Sequence, residues 1–150
     1  MELVRLIYVS SKTEAFDYRE INNLLDTARE NNEKRGITGT LCFSRKFFLQ
    51  YLEGSRKSVG ETFAKICADT RHNGIEIIDY QQIHKREFSH WTMGYIGDTD
   101  VNEEINLKYS GNIEFEPYKM SPESVLQWLL DMKFFVERGN PEHVDPLDLL

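Results

Sequence analysis

Cysteine is scarce in this chain: Cys42 and Cys67 are the two cysteines among 150 residues. They lie far apart and form no CxxC pair, so the spacing typical of a disulfide framework or a zinc site is missing. We expect both thiols to be reduced and to lie in or near the core. The four histidines show no metal-ligand spacing, and no metal site is predicted.

Positive charge is also in short supply, because 18 Lys and Arg face 25 Asp and Glu, a formal net charge of −7. No basic stripe is available to neutralise phosphates, which disfavours nucleic acid and anionic membranes as partners. No apolar run approaches the roughly 18 residues of a spanning helix. The N-terminal stretch MELVRLIYVSS has no small-residue cleavage pattern, so we expect a cytoplasmic protein.

What the chain does contain is enough apolar material for one domain, with 40% hydrophobic and 12% aromatic residues. Hydrophobic periodicity and turn residues predict these segments in order: strand 4–10, helix 17–35, strand 38–44, strand 47–54, helix 56–72, strand 75–86 and strand 90–97. Asp17 with Glu20 is a capping-box pattern at the first helix, and Gly36 is a stop signal.

The order βαββαββ predicts an α+β fold, a ferredoxin-like sheet with two helices on one face. In that arrangement the first and third strands are central neighbours. Both of them are apolar on both faces, so the pattern agrees with the topology. We assign residues 2–97 to this domain.

Residues 98–150 are predicted to be a C-terminal helical extension. They begin with a polar, turn-rich stretch and a short helix at 102–109. A longer helix follows, with Ser121 as N-cap and Pro122 at its first position. Its apolar residues cover more than one stripe, so we expect it to form a cap on the open sheet face and to contact another subunit.

A glutamine stands inside the apolar strand KFFLQYLEG, residues 46–54. Both strand faces are apolar, so Gln50 is predicted to be buried, where an unsatisfied amide costs roughly 1–3 kcal/mol. Because the first and third strands are neighbours, we expect Tyr8 beside it.

Two further amides, Asn31 and Asn32, continue the apolar stripe of the first helix, Asn31 beside Leu24 at its edge and Asn32 near its middle. One interpretation is the polar last turn of a helix that stops at Gly36. The other is that these amides, with Gln50 and Tyr8, bind a planar ligand whose edge alternates acceptors and donors.

Five segments, LIYVSS, NNEKRGITGTLCFS, FFLQYLEG, DTRHNGIEII and FSHWTMGY, stand in the order and at the spacing of a BLUF domain, the flavin-binding blue-light sensor module. Residues 2–97 resemble this family without an evident gap. The tail, with LKYSG and MSPESVLQWLLDM, is similar to the helical cap of short stand-alone BLUF photoreceptors of the cyanobacterial PixD type.

The resemblance implies a role for each matching residue. Tyr8 would be the photoactive tyrosine and Gln50 the glutamine that switches. The implied flavin-binding residues are Tyr8, Leu24, Asn31, Asn32, Gln50, Lys65, Ile66, Asp69, Arg71 and His72. Trp91 and Met93, two apart and therefore on one strand face, would transmit the change. Taken singly, each is also compatible with ordinary packing or a solvated helix end.

The implied cofactor is FAD, with FMN or riboflavin also accepted because they share the ring. The implied partners are further copies of the chain, up to a decamer, and a response-regulator-like signalling protein. The alternatives are a small flavin-dependent oxidoreductase, a small hydrolase and a flavin-free structural module. The sequence has no nucleophile elbow, no phosphate-cradling glycine loop and no convergent acid/base pair, so we expect no enzymatic activity.

Overall fold

The computed structural model describes residues 2–97, 101 and 103–139. Within them the chain forms five β-strands and four α-helices, with short 3-10 helices at Tyr18–Glu20 and Pro117–Lys119. The main elements are β1 Leu3–Lys12, α1 Ile21–Arg35, β2 Thr38–Ser44, β3 Phe47–Ser55, α2 Arg56–Cys67, β4 His72–Ile83, β5 Gly94–Ile96, α3 Glu103–Ser110 and α4 Pro122–Gly139.

The strands form one sheet in the order β4-β1-β3-β2-β5. β1 is antiparallel to β3 and β4, β2 is antiparallel to β3, and β5 lies parallel to β2 at the edge. The ferredoxin-like prediction is confirmed, including the central pairing of the first and third strands. The register sets Tyr8 directly opposite Gln50, so the two side chains emerge side by side on one face.

Helices cover both faces of the sheet. Leu6 and Tyr8 point to the face covered by α1 and α2, and Ile7 and Val9 point to the face covered by α4. We call these the α1/α2 face and the α4 face. The side chains of α4 that are completely buried are those of Val125, Trp128, Leu129, Met132 and Val136. The terminal helix therefore packs on the open sheet face, as predicted.

The start of the first helix differs from the prediction. Asp17 caps the 3-10 helix by accepting a hydrogen bond from the Arg19 backbone N–H at 2.9 Å. Glu20 makes no side-chain cap bond, so the capping-box prediction is wrong. The Glu20 carboxylate lies 3.6 Å from Arg71 Nη1 instead. α1 ends at Gly36, whose φ of 66° lies in the left-handed region, as predicted.

The second helix is shorter than predicted, because α2 ends at Cys67 and β4 already begins at His72. The Asp69 carboxylate accepts from the Arg71 backbone N–H at 2.9 Å, a local turn that competes with further helix. Cys67 is exposed, while Cys42 is buried. The expectation that both cysteines lie in or near the core is therefore wrong for Cys67.

The last predicted strand, residues 90–97, is reduced to the three residues of β5. α3 and α4 agree with the predicted helices, and Ser121 Oγ accepts from the Ser124 N–H at 3.2 Å at the start of α4. Of the helices that the structure describes, none combines the length and the apolar character needed to cross a bilayer.

Candidate functional site

A cavity of about 340 Å³ lies between the sheet and helices α1 and α2. Small-molecule sites typically measure roughly 300–1,000 Å³, so its volume suits a ligand. All of the side chains predicted to bind a flavin line it: Tyr8, Leu24, Asn31, Asn32, Gln50, Lys65, Ile66, Asp69, Arg71 and His72. The fold thus brings together residues that are up to 64 positions apart in the sequence.

A short chain of polar contacts forms one wall of the cavity. The Tyr8 hydroxyl donates to Gln50 Oε1 at 2.5 Å, and Gln50 Nε2 lies 3.4 Å from the sulfur of Met93. Tyr8 and Gln50 are both buried, with 3% and 6% of their surface exposed. The prediction that Gln50 is buried beside Tyr8 is confirmed, and its amide bonds the phenol on one side and the Met93 thioether on the other.

Burial raises the pKa of the Tyr8 phenol well above its ordinary value near 10, with smaller contributions from Cys67 and Asp69. The phenol is therefore neutral at physiological pH. Its proton can leave readily only if Tyr8 first loses an electron, because a phenol radical cation is a far stronger acid than a phenol.

The two asparagines of α1 differ in their environment. Asn32 is buried, and its Nδ2 donates to the Thr92 carbonyl at 2.9 Å. Asn32 also lines the cavity, and its side chain has one further polar atom, the acceptor Oδ1. Asn31 is exposed and also lines the cavity. Asn32 therefore joins the cavity wall to the segment that precedes β5.

Charged side chains gather where α2 gives way to β4. Arg71 binds Asp69 through both Nε and Nη2, at 3.0 and 2.6 Å, and its Nη1 lies 3.6 Å from Glu20. The hydrogen bonds from Arg71 hold the pKa of Asp69 below its ordinary value. An ion pair of this kind, with both side chains about one third exposed, is worth at most about 1 kcal/mol.

Both ring nitrogens of His72 are occupied within the protein. Nδ1 lies 2.7 Å from Ser10 Oγ, and Nε2 lies 2.6 Å from the Ile66 carbonyl oxygen. Since a carbonyl only accepts, Nε2 carries the hydrogen. His72 ties β1 to the end of α2, and its ring packs edge-on near Tyr8 with centroids 6.1 Å apart.

Sequence reasoning missed several side chains of the cavity wall. They are Asn23, Thr27, Arg35, Leu41, Phe48 and Thr62. Helical spacing could have found the first three, since Asn23, Thr27 and Asn31 recur every four residues and Arg35 continues that row. The strand and α2 residues carry no comparable local signal.

The residues of the cavity fit a flavin ring, which has an apolar part and a polar edge of alternating acceptors and donors. Leu24, Leu41 and Ile66 supply apolar surface, and the amides of Asn31, Asn32 and Gln50 supply donors and acceptors. Thr62 Oγ1 is buried and has no hydrogen-bond partner among the described residues. Over those same residues, no group of three or more His, Cys, Asp or Glu could hold a metal ion.

The family model described as BLUF, sensors of blue-light using FAD, matches residues 3–94. This chain belongs to the BLUF family. It is a blue-light photoreceptor module that binds a flavin.

Known BLUF proteins resemble the chain in sequence and structure. The photoactivated adenylate cyclase subunit beta of Euglena gracilis is 29% identical over 104 residues, which are 69% of this chain and 12% of that protein. The structure titled "BlsA photo-activated state" has a TM-score of 0.79 at 29% identity and covers 87% of this chain and 94% of its own. BlrB, a BLUF protein in its dark state, has a TM-score of 0.72 at 28% identity, with 88% and 95% covered.

The chain thus spans about an eighth of the Euglena cyclase subunit and nearly the whole of the short BLUF structures. The match supports a sensor module rather than the oxidoreductase alternative.

The two residues predicted to transmit the signal lie on opposite faces of the BLUF sheet. Met93 packs on the α1/α2 face beside Gln50, whereas Trp91 packs on the α4 face, 5.6 Å from Phe88 between ring centroids. The expectation that they share one strand face is wrong. Both residues precede β5, and alternation by two holds only in regular strand.

Gly94 explains how the Trp91 indole reaches the α4 face. A Cβ at position 94 would lie 1.7 Å from Trp91 Cε3, so the ring occupies the space that any other residue would need. The indole is 1% exposed and belongs to the same cluster as Trp128 and Leu129 of α4. Met93 and Trp91 therefore connect the cavity wall to the terminal helix across a single intervening residue.

Proposed function

We propose that this BLUF module senses blue light through rearrangement of the hydrogen bonds of Gln50, with Tyr8 as the photoactive group. The observation that carries this proposal is the 2.5 Å hydrogen bond from the buried Tyr8 hydroxyl to Gln50 Oε1 in the wall of the cavity. The phenol and the amide are in contact, shielded from water, and next to the space that the ligand would fill.

A flavin in this cavity would absorb blue light and, once excited, accept an electron and a proton. Tyr8 can supply both, because its phenol becomes strongly acidic when it loses an electron and Gln50 Oε1 already accepts its hydrogen bond. Gln50 is then free to turn or to tautomerise, which changes the group that its amide presents to the cavity and to Met93. The electron and proton would then return to Tyr8, and the altered hydrogen bonds of Gln50 would persist until the amide reverts in the dark.

The other cavity residues would bind the cofactor, for which we propose FAD, with FMN or riboflavin as substitutes that share the ring. Asn31 and Asn32 would bind the polar edge of the ring, and Leu24 and Ile66 would contact its faces. We place the ribityl chain and phosphate near Lys65, Asp69, Arg71 and His72. Among these four residues Lys65 is the cation best suited to a phosphate, because Arg71 is paired with Asp69 and both His72 nitrogens are occupied.

The direct test is the absorption spectrum of the purified protein before and after blue light. We expect a yellow protein whose flavin band shifts reversibly to the red, and chromatography of the extracted pigment identifies the flavin. A protein that is purified without flavin and takes none up would contradict the proposal.

The placement of the ring edge can be tested on the same helix. Asn32→Ala should lower flavin occupancy, since each lost hydrogen bond contributes about 1 kcal/mol. Asn22→Ala is the matched control, because Asn22 is exposed on α1 and does not line the cavity. Equal flavin affinity in both variants would place Asn32 outside the binding site.

For the output we propose a homo-oligomer, such as a decamer, that associates with a response-regulator-like protein in a light-dependent way. Its support is the apolar surface of the cap, where Leu107, Ile113 and Phe134 are about half exposed or more. The light state must change partner affinity, and 1.4 kcal/mol alters it tenfold. Light-scattering mass measurements in darkness and under blue light test this, and a monomer in both states would remove the oligomer. We also propose that the module has no catalytic activity and that it is located in the cytoplasm.

A further inference from the structure

Glu53 of β3 is a completely buried carboxylate that faces four hydrogen-bond donors. Its Oε1 accepts from Phe88 N–H at 2.7 Å and Thr38 Oγ1 at 3.0 Å, and its Oε2 accepts from Glu87 N–H at 2.9 Å and the Tyr51 hydroxyl at 3.0 Å. Both oxygens accept, as an ionised carboxyl group does. A carboxylate buried without such partners would be strongly destabilising.

Two of the four donors are backbone N–H groups of residues 84–93, which we call the β4–β5 connection. The guanidinium of Arg86 adds hydrogen bonds to the Thr38 hydroxyl at 2.8 Å and to the Gly36 carbonyl at 2.8 Å. Burial and the charge of Glu53 raise the pKa of the Tyr51 phenol, so Tyr51 remains a donor. The first half of the connection is therefore fixed to β3 through Glu53.

The second half of the connection carries Met93. Two backbone carbonyl groups of this half accept hydrogen bonds from side chains of α1. The Thr92 carbonyl accepts from Asn32 Nδ2 at 2.9 Å, and the Met93 carbonyl accepts from Arg29 Nε at 2.9 Å. The Met93 sulfur faces Gln50 Nε2. Gln50 and Glu53 are three residues apart on β3. The strand that carries Gln50 therefore also holds, through Glu53, the connection that carries Met93.

We propose that Glu53 is a positioning residue of the light response, which fixes the β4–β5 connection so that Met93 stays in contact with Gln50. When Gln50 changes its hydrogen bonds, Met93 then moves against a connection that is held at residues 87 and 88. This inference rests on the proposed role of Gln50.

Glu53→Gln tests the inference with almost no change in size. One carboxylate oxygen becomes an NH2 group, which is a donor and faces a backbone N–H. The backbone N–H is also a donor and cannot rotate to become an acceptor, so this hydrogen bond is lost. A freer connection lets Met93 yield when Gln50 returns, and we expect dark recovery roughly tenfold faster, the scale of one hydrogen bond to a charged group. Glu61→Gln, at an exposed position of α2, should recover at the wild-type rate.

The dependence on Met93 separates a positioning role from general loosening of the fold. In a Met93→Ala background, Glu53→Gln should change dark recovery by less than about twofold, because the group through which it acts is missing. If Glu53→Gln does not fold, Glu53→Asp keeps the charge while drawing its oxygens back, and the same acceleration is expected.

Two outcomes overturn the inference: recovery of the folded Glu53 variant at the rate of Glu61→Gln, or the same acceleration with and without Met93. Failure of the proposed function is seen separately, because the wild-type protein would then show no red shift at all. Amide hydrogen exchange of Glu87 and Phe88 should also rise in Glu53→Gln and stay unchanged in Glu61→Gln.

Discussion

Replacing Tyr8 with phenylalanine should abolish the light-induced red shift while the protein retains its flavin. The substitution removes the hydroxyl that donates to Gln50 Oε1 and keeps the aromatic ring that packs 5.5 Å from Phe63 between centroids. Phenylalanine has no acidic proton to transfer, so Gln50 keeps its dark hydrogen bonds. Difference spectra recorded before and after blue light measure the effect, which should be complete rather than partial.

Gln50→Leu should give the same loss from the other side of the hydrogen bond. The matched control is Tyr118→Phe, which removes a phenol hydroxyl that bonds Ser11 and Gly74 outside the cavity and should leave the red shift intact. A normal red shift in either Tyr8→Phe or Gln50→Leu would show that this pair does not carry the response.

Replacing Trp128 with alanine should destabilise the protein by about 3–5 kcal/mol, the usual cost of removing a buried aromatic side chain. The Trp128 indole is completely buried, stacks on Phe115 with centroids 4.3 Å apart, and donates from Nε1 to Asn106 Oδ1 at 2.9 Å. Removing it leaves a cavity in the α4 face and deprives Asn106 Oδ1 of the Trp128 donor. Urea unfolding followed by circular dichroism measures the loss.

Phe134→Ala is the control for this prediction, since Phe134 lies on the same helix but is 62% exposed. We expect it to unfold within about 0.5 kcal/mol of wild type, as surface substitutions usually do. If Trp128→Ala matched this control, α4 would contribute little to the core. The red shift should persist in folded Trp128→Ala, because its contacts lie on the opposite sheet face from the cavity.

This packing bears on the predicted division into residues 2–97 and 98–150. α4 completes the core on one sheet face, where it packs with Ile7, Leu49 and Tyr51. The boundary adjoins residues 98–100, which are outside the described part of the chain. We propose that the extension stabilises the domain from within the same core and does not form a detachable unit.

Local patterns alone predicted most of the scaffold. Strand alternation, the apolar stripe of α1 and the stop at Gly36 depend on neighbouring residues, so they can be read without a fold. The short connections then limited the topology to one in which β1 and β3 pair. From that pairing follows the contact of Tyr8 with Gln50, which is why the centre of the candidate site was predictable.

Only the tertiary structure decided the features that depend on irregular backbone or on partners distant in the sequence. Trp91 and Met93 part to opposite faces because they lie outside β5, where strand alternation does not apply. Glu53 looks in sequence like a solvated strand end, yet it is completely buried because four donors from β2, β3 and the β4–β5 connection converge on it. Such convergence depends on groups up to 35 residues away in the sequence, and no local periodicity reports it.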